Sequence, residues 1–363
     1  MSISAVDRVL SGLKQDKIVQ VTGVRGVGKS SVLKEVQTRL RGTEVAYIDL
    51  EDPRLSPRPK KETLELFSKG KSTVLLDGVG RVDGWLDWAK QAGVGVAAAR
   101  SGAATPGSDE DINLLPVDLR TWIELTGVSV NDDACRNNLP AFLTSTGLPG
   151  AKDGLLDLFH KSLFFDVLLR REVRGSDRLL SVAVYLLSNT ARQVSASRMK
   201  GLLSRSVDQA RAFLSHLQDA GLIYLVPRIE DSKRDRAGAS RLCFSTDLGL
   251  SVLLASHEPD LRDLAATAVF HQLLRQEIRP LAWRAKDRLG LAVMQDNRPS
   301  LLIDVSYSTG EADARPLRAS MSKWKCSRGL LLTESEEGEL TVPAGTITCR
   351  PLWSWLLGPV AFG

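Results

Sequence analysis

The run Gly23-Val24-Arg25-Gly26-Val27-Gly28-Lys29-Ser30 constrains this chain most, because its G-x-x-x-x-G-K-S spacing occurs in the setting that gives the pattern meaning. A short β-branched run, Ile18-Val19-Gln20-Val21, precedes it. Behind it, residues 31 to 40 carry Leu33, Val36 and Leu40 at helical spacing, and Gly42 is a stop signal. Strand, glycine loop and helix in that order predict a turn that cradles phosphate. The glycines let backbone N–H groups turn inward around an anion, and the helix N-terminus adds partial positive charge. In such a loop the lysine reaches the β- and γ-phosphates and the following hydroxyl holds Mg²⁺. The expected phosphate contacts are Gly23, Val24, Arg25, Gly26, Val27, Gly28, Lys29, Ser30 and Ser31, with Ser30 also a metal ligand.

At 363 residues the chain is long enough for two or three domains with packed cores. No stretch approaches the roughly 20 apolar residues that span a bilayer, and no apolar leader opens the chain, so a cytoplasmic protein without membrane contact is expected. The cysteines at 135, 243, 326 and 349 are scattered, as are the histidines at 160, 216, 257 and 271, so neither a zinc site nor a disulfide framework is expected. The net charge of +5 is concentrated: ten Lys/Arg against five Asp/Glu lie between Thr190 and Arg241. A local basic region suits an anionic partner or a solvated surface.

Strand and helix signals alternate through the first 175 residues, which predicts a parallel α/β sheet. Residues 44–50, 72–77 and 93–99 read as strands. Asp77 ends the apolar run Val74-Leu75-Leu76, at the carboxyl end of a strand beside the phosphate loop, where it would support Mg²⁺. Gly78 follows it and has no side chain with which to activate water.

These segments, in this order, resemble bacterial and archaeal AAA-type P-loop ATPases that carry a winged helix and a C-terminal domain of restriction-endonuclease-like fold. The resemblance rests on residues 21–30, on Tyr47-Ile48-Asp49-Leu50-Glu51-Asp52-Pro53-Arg54, on 77–85 and on 115–124. It implies ATP and Mg²⁺ as ligands. In the box at 77–85, Gly78 and Gly80 replace the family's Glu and Gln, and Ala99-Arg100-Ser101-Gly102 stands where the family has a polar γ-phosphate sensor. The implied division is a nucleotide domain with a helical lid over 1–175, a winged helix-turn-helix over 176–230, and a nuclease-like domain over 231–363.

The residues of the middle segment fit that division. Helices are expected at 178–187, 196–203 and 207–220, with a strand at 222–226. In a DNA-binding version the third helix enters the major groove; Arg205, Gln209 and Arg211 are the expected contacts with double-stranded DNA. Asp208 on the same face argues against it, and such segments also serve as protein-contact modules.

A helix at 261–277 and strands at 281–284, 289–295, 301–306 and 329–333 are expected in the last domain. Active nucleases of the implied fold need a helix Glu, an Asp and a Glu-x-Lys to hold metal and stabilise charge. Those positions fall near Ala266, at Gly290-Leu291-Ala292-Val293 and at Asp304-Val305-Ser306; only Asp304 offers a ligand. Lys286, Asp287 and Arg288 fit no metal template, so an inactive structural domain is expected, with Trp283, Trp324, Trp353 and Trp355 as packing anchors. The overall expectation is an Mg-ATP-binding switch or scaffold with weak or partner-dependent hydrolysis, acting with a protein partner or by self-association. Two alternatives stand beside it. One is an active ATPase whose missing carboxylate comes from another subunit, Glu51 or Asp83. The other is an ATP-liganded DNA-binding regulator.

Overall fold

The structure, a computed structural model, describes residues 4–40, 44–52, 54–55, 59–171, 175–203, 206–229, 240–286, 288–307 and 313–358. Its first sheet comprises β1 (Val19–Gly23), β2 (Val45–Asp49), β3 (Thr73–Asp77), β4 (Gly95–Ser101) and β5 (Glu110–Asn113). The strand order is β2-β3-β4-β1-β5 and every pairing is parallel. All five residues of β1 are buried, as a central strand covered on both faces requires. On one face, Val9, Leu33 and Val36 of helices Ala5–Lys14 and Lys29–Leu40 pack on Val19, Val21, Leu75 and Ala97. On the other, Trp85 and Trp88 of helix Trp85–Gln91 pack on Ile48, Val74, Leu76, Val96 and Ala98.

β3 does not pair with β1, since β4 lies between them. The parallel register nevertheless brings the carboxyl ends level. Gly23 pairs with Ser101, Ala99 with Asp77, and Asp77 with Asp49. The expected strands thus occur with shifts of a residue or two, and β5 is an additional edge strand.

Packing divides the chain into two compact units that do not follow three consecutive segments. The first unit contains residues 1–115, 148–174 and 216–222, and the second the remainder. Residues 116–147 join the second unit because Leu119, Ile123, Leu139 and Phe142 share a core with Leu264, Phe270 and Leu332.

In the second unit, helices Ser176–Ser188 and Ala196–Leu203 flank β6 (Arg192–Val194). Strands β7 (Ile223–Val226) and β8 (Arg241–Ser245) complete an antiparallel sheet of order β6-β8-β7. A mixed sheet follows, made of β9 (Leu281–Ala285), β10 (Arg288–Gln295), β11 (Arg298–Ser306), β12 (Arg328–Thr333), β13 (Gly338–Val342) and β14 (Gly345–Pro351). Its order is β13-β14-β12-β11-β10-β9. Helix Leu261–Arg275 lies in the main core, which also takes Trp353 and Trp355, while Trp283 packs with Leu317 and Met321 in a second cluster. Among the described residues no helix is long and apolar enough to cross a membrane.

Candidate functional site

Lys29 opens the helix Lys29–Leu40 directly after the glycine loop, so the loop wraps the helix N-terminus. Lys29 is only 8% exposed; its ammonium folds back and donates to the carbonyls of Gly23 (3.1 Å) and Val24 (2.8 Å). Burial, with the nearby Arg25 charge, lowers it to about 8 against the pull of Asp166, Asp77 and Glu51. Val24 and Val27 are buried, which anchors the loop. Gly150 N–H donates to Gly26 O at 2.9 Å and braces the loop from a second segment.

A cavity of about 420 Å³ is lined by Arg25, Gly26, Gly28, Lys29, Ser30 and Ser31 of the loop. Its other walls include Glu51, Asp77, Gly78, Ser101 and Gly150. The structure therefore gathers six of the nine expected phosphate contacts, with Asp77, on one cavity. Gly23 and Val24 take part through the carbonyls that hold Lys29, and Val27 through its buried anchor. Tyr47 donates its hydroxyl to Asp77 Oδ2 at 2.6 Å; burial and that carboxylate raise the Tyr47 phenol above its ordinary value. Tyr47 thus fixes one oxygen of Asp77, which lines the cavity with Ser30. A hydroxyl and a carboxylate facing one polar cavity form a hard oxygen donor set, which fits Mg²⁺.

Arg25 is the most heavily paired side chain of the loop. Its guanidinium donates to both Glu51 oxygens at 2.7 and 2.8 Å, and to both Asp166 oxygens at 3.0 and 2.8 Å. Burial opposes its charge, but the two carboxylates raise it further above its ordinary value. Burial also opposes the Glu51 charge, yet Arg25, then Arg81 and Lys29, hold its carboxyl below the ordinary range. Asp166 is buried in a π-helical stretch, Ser162–Leu168, an uncommon geometry that often marks functional positions. Arg25 and Arg81 both stand over the Phe165 ring of that stretch, at 5.6 and 5.2 Å.

Gly78 has φ +77° and ψ 31°, and a Cβ there would meet Glu51 Cγ at 2.6 Å. The chain directs Glu51 to this place. Leu50 N–H donates to Asp77 O (2.8 Å), and the Asp49 carboxylate accepts from Glu51 N–H (2.9 Å). The sequence motif alone pointed to Lys29, Ser30 and Asp77; it gave no sign of Asp166, Tyr47 or Phe165. Ser101 lies in the stretch that the resemblance sets at the sensor position, and the parallel register puts it opposite Gly23.

Of the positions expected to read DNA, Gln209 and Arg211 lie in helix Val207–Asp219. Arg205 lies outside the described residues. Arg211 pairs with Asp208 at 3.0 Å, and the buried Gln209 amide oxygen has no hydrogen-bond partner. Asp304 is fully buried, with Arg288 Nε 3.1 Å from each of its oxygens and Val305 N–H also donating. Burial raises the Asp304 carboxyl, and the arginines restrain the rise. Its lone pairs serve these partners.

Comparison with known proteins adds an independent line. Residues 15–95 match the model of a family described as an AAA domain. The chain is 13% identical to the Walker-type ATPase PABY2304 of Pyrococcus abyssi, covering 69% of this chain and 94% of that one, with a TM-score of 0.40. A proline-to-glycine variant of RuvB from Thermotoga maritima is 14% identical, covering 69% and 95%, with a TM-score of 0.31. No match was found among curated proteins. The N-terminal sheet is thus an α/β fold resembling P-loop ATPases, and nucleotide binding fits it.

Proposed function

We infer that this protein binds Mg-ATP and acts as a nucleotide-dependent switch or scaffold with slow intrinsic hydrolysis. The observation that carries the reading is the shared cavity of the glycine loop, Lys29, Ser30 and Asp77 at the level carboxyl ends of a parallel sheet. Loop N–H groups and Lys29 neutralise the β- and γ-phosphates, and Lys29 gives up its carbonyl partners to do so. Ser30 and Asp77 would hold Mg²⁺, which supplies charge to the phosphate oxygens. Hydrolysis is slow because Gly78 offers no carboxylate at the usual place.

The switch reading draws support from the loop after β4. Ser101 lines the cavity, and two residues on, Ala103 N–H donates to Asp219 O at 2.9 Å. Gly102, at φ +86°, leaves no room for a Cβ against that same carbonyl. A change at Ser101 on γ-phosphate loss is thereby felt at the end of helix Val207–Asp219. That helix follows the order expected of a winged helix-turn-helix, and the mixed sheet beyond it suits a nuclease-like scaffold without metal chemistry. We assign both as contact modules for a protein partner in the cytoplasm.

Hydrogen exchange of the full chain with Mg-ATP and with Mg-ADP tests the switch. Protection at 101–103 and 216–222 should differ between the two nucleotides. Identical protection patterns, with both nucleotides bound, would sink the switch and leave a static nucleotide site.

A further inference from the structure

The clasp of Arg25 on Glu51 carries a consequence for the chemistry of the site. We propose that Glu51 supplies the carboxylate that orients and deprotonates the attacking water, in place of the side chain that Gly78 lacks. This deepens the ATP-binding reading and rests on it.

Three observations converge. First, Glu51 fills the space beside Gly78: a Cβ at 78 would lie 2.6 Å from Glu51 Cγ, so a side chain two residues past the end of β2 stands where one just past the end of β3 would begin. Second, Glu51 lines the same cavity as Lys29, Ser30 and Asp77. Asp83, the other carboxylate that could substitute, lines an adjoining cavity of about 260 Å³, which Glu51 also borders, and is not in the lining of the loop cavity. Third, the Glu51 backbone is fixed by the Asp49 side chain, and its carboxylate is gripped at both oxygens by Arg25, so its position is set before any ligand arrives.

In the step itself, a water oxygen forms a bond to the γ-phosphorus as the bond to the β–γ bridging oxygen breaks. The electron pair leaves on ADP, and the water proton passes to Glu51 and then to the released phosphate or solvent. Lys29 neutralises charge on the bridging and γ-oxygens. Arg25 sets the rate of this step in two ways. It occupies both Glu51 oxygens, and it holds the carboxyl below its ordinary range, which makes Glu51 a weak base. Slow turnover follows from the same clasp that positions the group. Asp166 holds the guanidinium at both of its own oxygens, so Arg25 keeps two of its four hydrogen bonds when Glu51 turns toward the water.

The test is single-turnover hydrolysis of Mg-ATP by excess full-length protein, compared with binding of a non-hydrolysable ATP analogue by calorimetry. Wild type, Glu51→Gln, Glu51→Asp and Glu51→Ala are measured, each checked for native folding by circular dichroism. Glu51→Gln should lose about 100-fold in rate, the usual scale for a general base, with analogue affinity within about threefold of wild type. Glu51→Asp should keep part of the rate. Sodium formate should restore hydrolysis to Glu51→Ala, where space for a free carboxylate opens beside Gly78, and not to Glu51→Gln; sodium chloride serves as the salt control. A structural role for Glu51 would give no formate rescue. Hydrolysis by Glu51→Gln within twofold of wild type, absence of formate rescue, or analogue binding by wild type with no hydrolysis at all would each overturn the proposal and leave ATP binding standing. Absence of analogue binding by wild type would instead remove the reading beneath it.

Discussion

Raising the pH from 7 to 9 should weaken nucleotide binding through one residue, Lys29. Burial places its ammonium at about 8, against an ordinary value of 10.5. At that value ~90% of the free protein carries the charge at pH 7 and only ~10% at pH 9. Bound phosphates favour the ammonium and return it toward or above its ordinary range. Binding at pH 9 must therefore take up nearly one proton, and the affinity should fall by about tenfold between pH 7 and 9, or about 1.4 kcal/mol. Calorimetry with excess Mg²⁺, in buffers of differing ionisation enthalpy, measures both quantities in one series. Lys29→Met should bind more weakly at both pH values and lose the proton uptake. The same shift acts on folding with a definite sign. Below pH 8 the lysine is charged in both folded and unfolded chains, so the full cost of its burial is present. As pH rises from about 8 toward 10.5 the folded chain releases the proton first, and the cost, about 3 kcal/mol, disappears. An affinity that stays flat from pH 7 to 9, with no proton uptake, would refute the account of Lys29 as a buried, depressed ammonium.

Other substitutions separate the site from its scaffold. Gly78→Ala should cost about 1–3 kcal/mol of stability in denaturant melts, because it forces a left-handed φ on a residue with a Cβ and displaces Glu51. Asp304→Ala should destabilise by about 3–5 kcal/mol by stranding Arg288, and should leave ATP affinity measured below the transition unchanged. Asp247 is buried, with N–H donors at Gly147 and Leu250, and burial pushes its carboxyl up to about 6. Its contribution is therefore full below about pH 4 and is lost as pH climbs through 6, by about 3 kcal/mol; Asp247→Asn should flatten that limb of the stability curve. A wild-type curve that does not fall across this range relative to Asp247→Asn would show that the carboxyl titrates normally.

The phosphate loop was legible because one motif and its flanking periodicities agree at every level. Glycine spacing, the β-branched run before it and the Leu33/Val36 stripe after it all require the same strand–loop–helix. The end of β3 was legible for the same reason, since an apolar run closing on Asp77 has one simple reading. β5, whose sequence is Glu-Asp-Ile-Asn, was not legible, because pairing with β1 sets its conformation and its composition resembles a loop. β13 was hidden likewise: Gly338–Val342 is almost wholly exposed, and only its register with β14 makes it a strand. The Arg25 clasp joins residues 26 and 141 positions apart, a relation that no local spacing encodes. The π-helical stretch at Ser162–Leu168 departs from the 3.6-residue period on which helical readings depend. Residues 116–147 read as part of the nucleotide domain because they follow it in sequence; their apolar faces belong to the core around helix Leu261–Arg275.

The central claim is that the glycine loop, Lys29, Ser30 and Asp77 form a working Mg-ATP site. Titration of wild-type protein and Lys29→Ala with ATP at pH 7, in excess Mg²⁺, tests it most directly. The account predicts saturable one-to-one binding by wild type and a loss of at least about tenfold in Lys29→Ala, the scale of one charged hydrogen bond to phosphate. Absence of saturable binding by folded wild type, or equal affinity in the two proteins, would contradict it.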